Sequence, residues 1–413
     1  MSTPNALRAY VAVTAAYWAF MLSDGALRML VLLHFNGLGF SPVQLAWLFL
    51  LYEAAGIVTN LAAGWIAARF GLAVTLWAGM VLQIAALVAL TQLGAGWSVG
   101  ASALFVMAVQ GVSGVAKDLA KMSSKSAVKV LAPKGEGALF RWVAVLTGSK
   151  NAVKGAGFFL GAALLALVGF AGAVWVMAAV LAVILIAVWA FLPPGLPMGQ
   201  KGAKLSSVWS KDRRINGLSL ARMFLFGARD VWFVVGIPVY FQSVLSDGSP
   251  DSRRAAFFLI GGFMALWIIG YGTVQALAPR FFSGRPESEV IARTIGWAGA
   301  LVPIPFALAL AVWMAGAPAL WLTGALVIGL LAFGFVFAVN SSVHSYLILA
   351  FSREGRIAQD VGFYYMANAA GRLLGTLLSG LSYQAGGLAL CLATAGALAA
   401  LNWAAARRLA RAG

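Results

Sequence analysis

The 413-residue sequence has one cysteine, Cys391, two histidines, His34 and His344, and 12 acidic residues. A single cysteine excludes an intramolecular disulfide, and so few soft ligands exclude a dedicated zinc or copper cluster. No G-x-x-x-x-G-K-[ST] loop is present, so a built-in ATPase is not expected. No nucleophile-and-base constellation stands out either, which argues against an enzyme. The first apolar stretch, roughly 10–35, lacks a basic leader followed by an A-x-A-like cleavage site and reads as a retained helix. Charge itself is scarce, at 10% of residues.

What fills the sequence is apolar: 62% of residues are hydrophobic and the mean hydropathy is +0.91. That leaves too little polar surface to face water, so lipid is the expected solvent. Runs long enough to cross a bilayer fall near 10–35, 43–67, 72–93, 97–116, 139–168 and 172–192 in the first half. They continue near 215–243, 255–278, 291–314, 318–345, 359–384 and 386–405. The expectation is an all-α membrane protein of twelve spans.

The net charge of +17 is a matter of sidedness before it is a matter of partners, and no nucleic-acid role is expected. With both termini in the cytoplasm, 21 of the 29 Lys and Arg fall on inside segments, two (Arg253 and Arg254) outside and six within spans. The reverse orientation would invert the positive-inside bias. The stretch 193–214, rich in Pro, Gly and basic residues, reads as a cytoplasmic linker between six-helix bundles at 1–192 and 215–413. A shift of 206 lays Asp24 on Asp230 with flanking aromatics and aliphatics roughly in step, as in a transporter built from related halves.

Ionisable groups deep in a bilayer normally face a cavity or a partner. Here they are Asp24 and Arg28 in the first span, Glu53 in the second, Lys150 and Lys154 in the fifth, Arg229 and Asp230 in the seventh and Arg372 in the eleventh. Arg222 lies nearer the cytoplasmic end of the seventh. Six cations against three acids leave a formal excess of three, which an anionic ligand would balance. Asp24 and Arg28 are one turn apart and can pair, while Lys150 and Lys154 share a face and repel. Glu53, with no basic residue one turn away, reads either as a proton-carrying acid or as the partner of a cation on another helix. Lys117, Lys121, Lys125 and Lys129 recur every four residues as a basic stripe expected to face solvent and lipid phosphate, with Lys117 the deepest and a candidate for substrate contact. Asn151, Tyr271 and Asn368 lie at a depth where they could orient a hydroxylated ligand. The third, sixth, ninth and twelfth spans carry no charge in their interiors and are expected at the periphery.

GWIAARFGLAVTL at 64–76 resembles the loop signature of the major facilitator superfamily. Gly64, Arg69 and Gly71 match; Ala68 replaces the acid, and Leu72 and Ala73 replace the basic pair. The resemblance implies that superfamily's fold, two six-helix bundles around a central cavity. YWAFMLSDGALRMLVLLHF (17–35), SGVAKDLAKMSSKSAVK (113–129), LTGSKNAVKGAGFFLG (146–161), LFGARDVWFVVGIPVY (225–240) and LWIIGYGTVQALAP (266–279) resemble the ArsJ family of organoarsenical efflux permeases. That resemblance implies export of 1-arseno-3-phosphoglycerate, the product of glyceraldehyde-3-phosphate dehydrogenase acting on arsenate, across a bacterial inner membrane, with arsenate resistance as the result. On this reading the substrate site is Arg28, Lys117, Lys150, Asn151, Lys154, Arg229, Tyr271, Asn368 and Arg372, and Asp24, Glu53 and Asp230 serve coupling or ion pairing. No cofactor is expected, and the chain is expected to work as a monomer whose partners are the small anion and the bilayer. A general organic-phosphate carrier, or an anion sensor that moves nothing, are the alternatives.

Overall fold

The computed structural model describes residues 3–94, 96–131, 138–191, 210, 212–278, 286–352 and 357–410. The proposed linker through residue 209 and the side chains of Arg8, Lys125 and Lys129 lie outside them. The described chain is built from helices: α1 (Thr3–Gly37), α2 (Pro42–Phe70), α3 (Leu72–Leu90), α4 (Val99–Leu131), α5 (Ala138–Phe191), α6 (Arg213–Val231), a π-helical turn (Trp232–Gly236) and α7 (Ile237–Leu245). Then come α8 (Pro250–Leu277), α9 (Glu287–Leu301), α10 (Pro303–Ala315), α11 (Leu320–Phe351) and α12 (Ile357–Ala410).

Ten helical stretches among the described residues are long and apolar enough to cross a membrane. Two of them, Ser149–Ala190 and Asp360–Leu409, run 42 and 50 residues, about twice what a bilayer needs. Each is broken by glycine in a backbone conformation that other residues resist: Gly169 at φ 71° in α5 and Gly387 at φ 60° in α12. The break at Gly169 falls within the join that the hydropathy pattern places at 168–172, and the irregular backbone at Gly386 and Gly387 lies at the edge of the join at 384–386. The outer surface is apolar, with Leu167, Trp189, Trp313 and Leu320 all more than two-thirds exposed, as lipid-facing side chains are.

Ends are marked by local chemistry. Asp212 caps α6 by accepting from the Arg214 backbone N–H at 2.8 Å, and Ser249 caps α8 ahead of Pro250. Small residues set the packing between helices, which in lipid depends on close approach. A Cβ at Gly161 of α5 would strike the Ala26 carbonyl of α1, and one at Gly371 of α12 would strike the Met223 carbonyl of α6. The same device thus locks α1 to α5 and α6 to α12.

The two halves of the chain meet along α2 with α12 and α5 with α8. Gly380 packs on Pro42 and Ala46, Gly56 on Ala369, and Gly272 on Asn151. Asn36 of α1 donates to Gln242 of α7 at 2.7 Å. These residues are 206 apart, the offset that superposes Asp24 on Asp230.

Candidate functional site

Between the halves lies a cavity of about 160 Å³. Its lining comes from α1, α2, α4 and α5 on one side and from α6, the π-turn, α8, α11 and α12 on the other. Among the described residues, no lining residue belongs to α3, α9, α10, the part of α5 after Gly169 or the part of α12 after Gly387. The third, sixth, ninth and twelfth stretches, expected at the periphery, are therefore away from the cavity, whereas α8 and α11, whose apolar runs also carry no charge, line it.

Nine residues that the sequence nominates for ligand contact, Arg28, Lys117, Lys150, Asn151, Lys154, Arg229, Tyr271, Asn368 and Arg372, all line this cavity, together with Glu53 and Asp230. Asp24 stands behind the wall, against Lys154. Among the described residues, eight Lys or Arg line the space (Arg28, Lys117, Lys121, Lys150, Lys154, Arg222, Arg229, Arg372) against three carboxylates, Glu53, Asp118 and Asp230. Asp24 makes a fourth acid nearby, so the local excess of cations is four.

The pairing differs from the helical-neighbour expectation. Asp24 does not pair with Arg28; it accepts from Lys154 Nζ of α5 at 2.5 Å and from Tyr52 Oη of α2 at 2.5 Å. Arg28 turns instead to Glu53 of α2 at 2.9 Å. An i, i+4 pair on one helix is worth only a few tenths of a kcal/mol, roughly, whereas buried charges need full coordination by groups on neighbouring helices. Lys154 is correspondingly an ion-paired residue, not one held apart by its neighbour Lys150.

Glu53, 1% exposed, is the partner of cations on two other helices. It takes Arg28 Nη1 and, at 2.6 Å, Arg372 Nη2 of α12, so one carboxylate ties the first half to the second. Arg372 goes on to Asp230 at 3.3 Å, and Asp230 binds Arg229 at 2.5 Å. The result is a chain of alternating charge, Arg28–Glu53–Arg372–Asp230–Arg229, running across the cavity wall. Arg28 keeps one buried donor, Nη2, without a partner among the described residues. The aromatic rings of Phe49 and Tyr52 lie 5.0 and 5.4 Å from its guanidinium, and Phe226 and Phe337 lie 4.8 and 5.4 Å from that of Arg229.

The π-turn directly after Asp230 leaves backbone N–H groups outside the regular ladder, and Ser379 Oγ accepts two of them, from Val235 at 3.1 Å and Gly236 at 3.3 Å. Such turns recur where a helix must re-aim side chains. Cys391, the single thiol, donates to the Val231 carbonyl at 2.9 Å and packs on Gly236, so it braces this turn.

Two features escaped the sequence reading. Lys121 is not a solvent-facing member of a stripe: it binds Asp118 at 2.9 Å and Asn60 at 2.6 Å and lines the cavity. Its signal was its place one turn from Lys117, which put both on one face. Arg222, set aside for its position along the seventh span, is 4% exposed and also lines the cavity. Lys117 reaches no carboxylate among the described residues and lies over the Tyr52 ring at 4.0 Å.

The sequence matches the Major Facilitator Superfamily over residues 13–376. No curated protein matches it. Among solved structures it is similar to a mutant of the nucleoside transporter NupG, at 16% identity and TM-score 0.69 over 99% of both chains. It is similar also to a bacterial homologue of the iron transporter ferroportin in its inward-facing state, at 17% identity and TM-score 0.68, over 98% of this chain and 99% of that one. A POT family transporter bound to a thioalcohol-conjugated peptide matches at 14% identity and TM-score 0.72, over 95% and 94% of the two chains. At such identities the likeness shows the fold and leaves the cargo to the cavity's own chemistry.

Proposed function

The chain belongs to the Major Facilitator Superfamily, and from that premise we propose that this multi-pass transporter is a secondary active exporter of a compact organic polyanion. The observation that carries the reading is the cavity's surplus of cations, eight Lys and Arg against three lining carboxylates among the described residues. A buried positive excess of this size is costly without a counter-ion and favours an anionic cargo. It equally opposes lipophilic cations.

The finer reading follows from the ArsJ likeness. The cargo is 1-arseno-3-phosphoglycerate, exported across a bacterial inner membrane to give arsenate resistance, and both termini are cytoplasmic. The phosphate and arsenate groups suit bidentate contact with guanidinium forks. The long helices α5 and α12 each supply two spans, divided at Gly169 and Gly387, which makes twelve in two six-helix bundles joined by the linker at 193–214.

In this mechanism Glu53 and Asp230 stand in for the substrate. An entering oxyanion competes for Arg28, Arg372 and Arg229. Because the Glu53–Arg372 contact joins the halves, its exchange for substrate contacts loosens one tie between them and lets them rock about the site. Release restores the ion pairs and resets the empty carrier.

The test is arsenate tolerance of a sensitive bacterium expressing the protein. Wild type should raise tolerance, and Lys150→Ala and Lys154→Ala should each abolish the gain at normal membrane levels. Retained tolerance in either variant removes that lysine from the site; no tolerance from wild type, with phosphoglycerate uptake intact in vesicles, points to the general organic-phosphate carrier.

A further inference from the structure

Most cavity cations are already neutralised inside the protein. Arg28, Arg229 and Arg372 share Glu53 and Asp230, Lys154 has Asp24 and Lys121 has Asp118. Arg222, like Lys117, has no carboxylate within ion-pair distance among the described residues. It is nevertheless buried, so water does little to relieve the cost of its charge.

What holds Arg222 is neutral. Its Nε–H donates to Asn368 Oδ1 at 2.9 Å, and Nη1 donates to both the carbonyl and Oγ of Ser341, each at 2.9 Å. The guanidinium lies over Phe226 at 4.1 Å and Tyr364 at 5.0 Å. Three of its five N–H groups are thereby used, which leaves the two on Nη2 to offer to a ligand. Asn368, with Oδ1 committed to Arg222, has its amide N–H groups left to offer, and it too lines the cavity. Gln275 Nε2 donates to the same Ser341 Oγ at 2.9 Å, and Asn151 donates to Gln275 Oε1 at 3.0 Å. This neutral chain ties the position of Arg222 to α5 of the opposite half.

A site that offers only donors, on a fixed cation without its own counter-ion, is an oxyanion site. Along α6, Arg222 precedes Arg229 by seven residues, two turns or about 10 Å. The ion-paired centre and Arg222 are thus two separate poles of one cavity.

We propose that Arg222 and Asn368 form a second oxyanion subsite, so that the carrier selects linear dianions with one oxyanion at each end. The three arginines of the centre take one end and Arg222 the other. Cargo with a single anionic group fills only the first pole. The proposal deepens the anion-carrier reading and rests on it.

The experiment measures binding to purified protein in lipid nanodiscs, with two probes that differ in one charged group: 3-phosphoglycerate, which carries phosphate and carboxylate, and glycerol 3-phosphate, which carries phosphate alone. Wild type should prefer 3-phosphoglycerate by roughly tenfold or more, the usual worth of a charge-assisted hydrogen bond. Arg222→Gln should collapse that ratio towards one, and Arg222→Lys, which keeps the charge and loses the fork, should leave an intermediate ratio. Asn368→Ala, removing the neutral half of the subsite, should also lower the ratio and serves if Arg222→Gln does not fold. An unchanged ratio in the folded variants, or a wild type that binds both probes equally, overturns the second subsite. A wild type that binds neither probe overturns the anion-carrier reading beneath it.

Discussion

The centre of the cavity and the Arg222 pole solve the same problem, a positive charge buried in lipid, in opposite ways. At the centre, Glu53 and Asp230 satisfy three arginines within the protein, across helices that belong to different halves. At Arg222 the charge is held by a carbonyl, a hydroxyl, an amide and two rings, none of them ionised. The difference teaches that charge count alone does not locate a binding group. Exchangeable ion pairs suit a step that must make and break, whereas a fixed cation in a neutral cradle suits recognition.

The largest expected effect comes from breaking the centre. Arg372→Ala leaves Glu53 and Asp230 each with one cation fewer, and a broken buried pair costs about 3–5 kcal/mol. Thermal unfolding in detergent should show that loss, and transport should vanish. An Arg372→Ala protein of wild-type stability would mean that the chain of alternating charge is not formed.

Glu53→Gln sharpens the comparison because its two effects have opposite sign. With the stand-in carboxylate gone, Arg28 and Arg372 are released, and 3-phosphoglycerate should bind roughly tenfold tighter. Flux should fall, since the empty carrier can no longer reset. Calorimetry in nanodiscs beside proteoliposome uptake separates the two, and weaker binding would contradict the competition between Glu53 and cargo.

A smaller change is expected away from both poles. Asn36→Ala removes the hydrogen bond that joins α1 to α7, worth about 1 kcal/mol. Distances between spin labels on α1 and α7 should broaden with little change in affinity; an unaltered distribution would remove this contact from the gating account.

The smallest effect lies outside the spans altogether. Asp247 accepts from Ser252 Oγ and from the Ser249 backbone N–H at 2.8 Å, and these bonds lower its carboxyl from 3.8 to about 2. A depressed carboxylate contributes fully above its unfolded value and loses that contribution as pH falls from 3.8 towards about 2. Hydrogen exchange at Ser249 and Ser252 should therefore accelerate only in that acidic window, with transport near neutral pH untouched. Acceleration already at about pH 6, well above that window, would contradict the assignment.

Much of this was legible in the sequence because lipid imposes simple rules. Apolar run lengths located the helices, and the breaks at Gly169 and Gly387 fall within or at the edge of the joins they predicted. Charged residues in apolar spans pointed to the cavity wall because there is nowhere else to place them. Pairing was not legible. Asp24 and Arg28 are one turn apart, yet they turn to α5 and α2, since the choice depends on how each helix is rotated against its neighbours. Lys121 was misread because the whole stripe was assigned to solvent and lipid phosphate, whereas Asp118 and Asn60 draw Lys121 into the cavity wall. Arg222 was counted among the cations within the spans but left out of the ligand set because depth was measured along the chain, while the cavity extends two helical turns beyond Arg229.

The central claim is that this cationic cavity carries the acyl arsenate, a mixed anhydride, of a phosphorylated acid. Everted membrane vesicles test it most directly, with the labile acyl arsenate generated in place from arsenate, glyceraldehyde 3-phosphate and NAD by glyceraldehyde-3-phosphate dehydrogenase. The account predicts that vesicles containing the protein accumulate arsenic only when all four components are present, and that Arg229→Ala vesicles do not. Accumulation with arsenate alone, or none with the complete mixture, would contradict it.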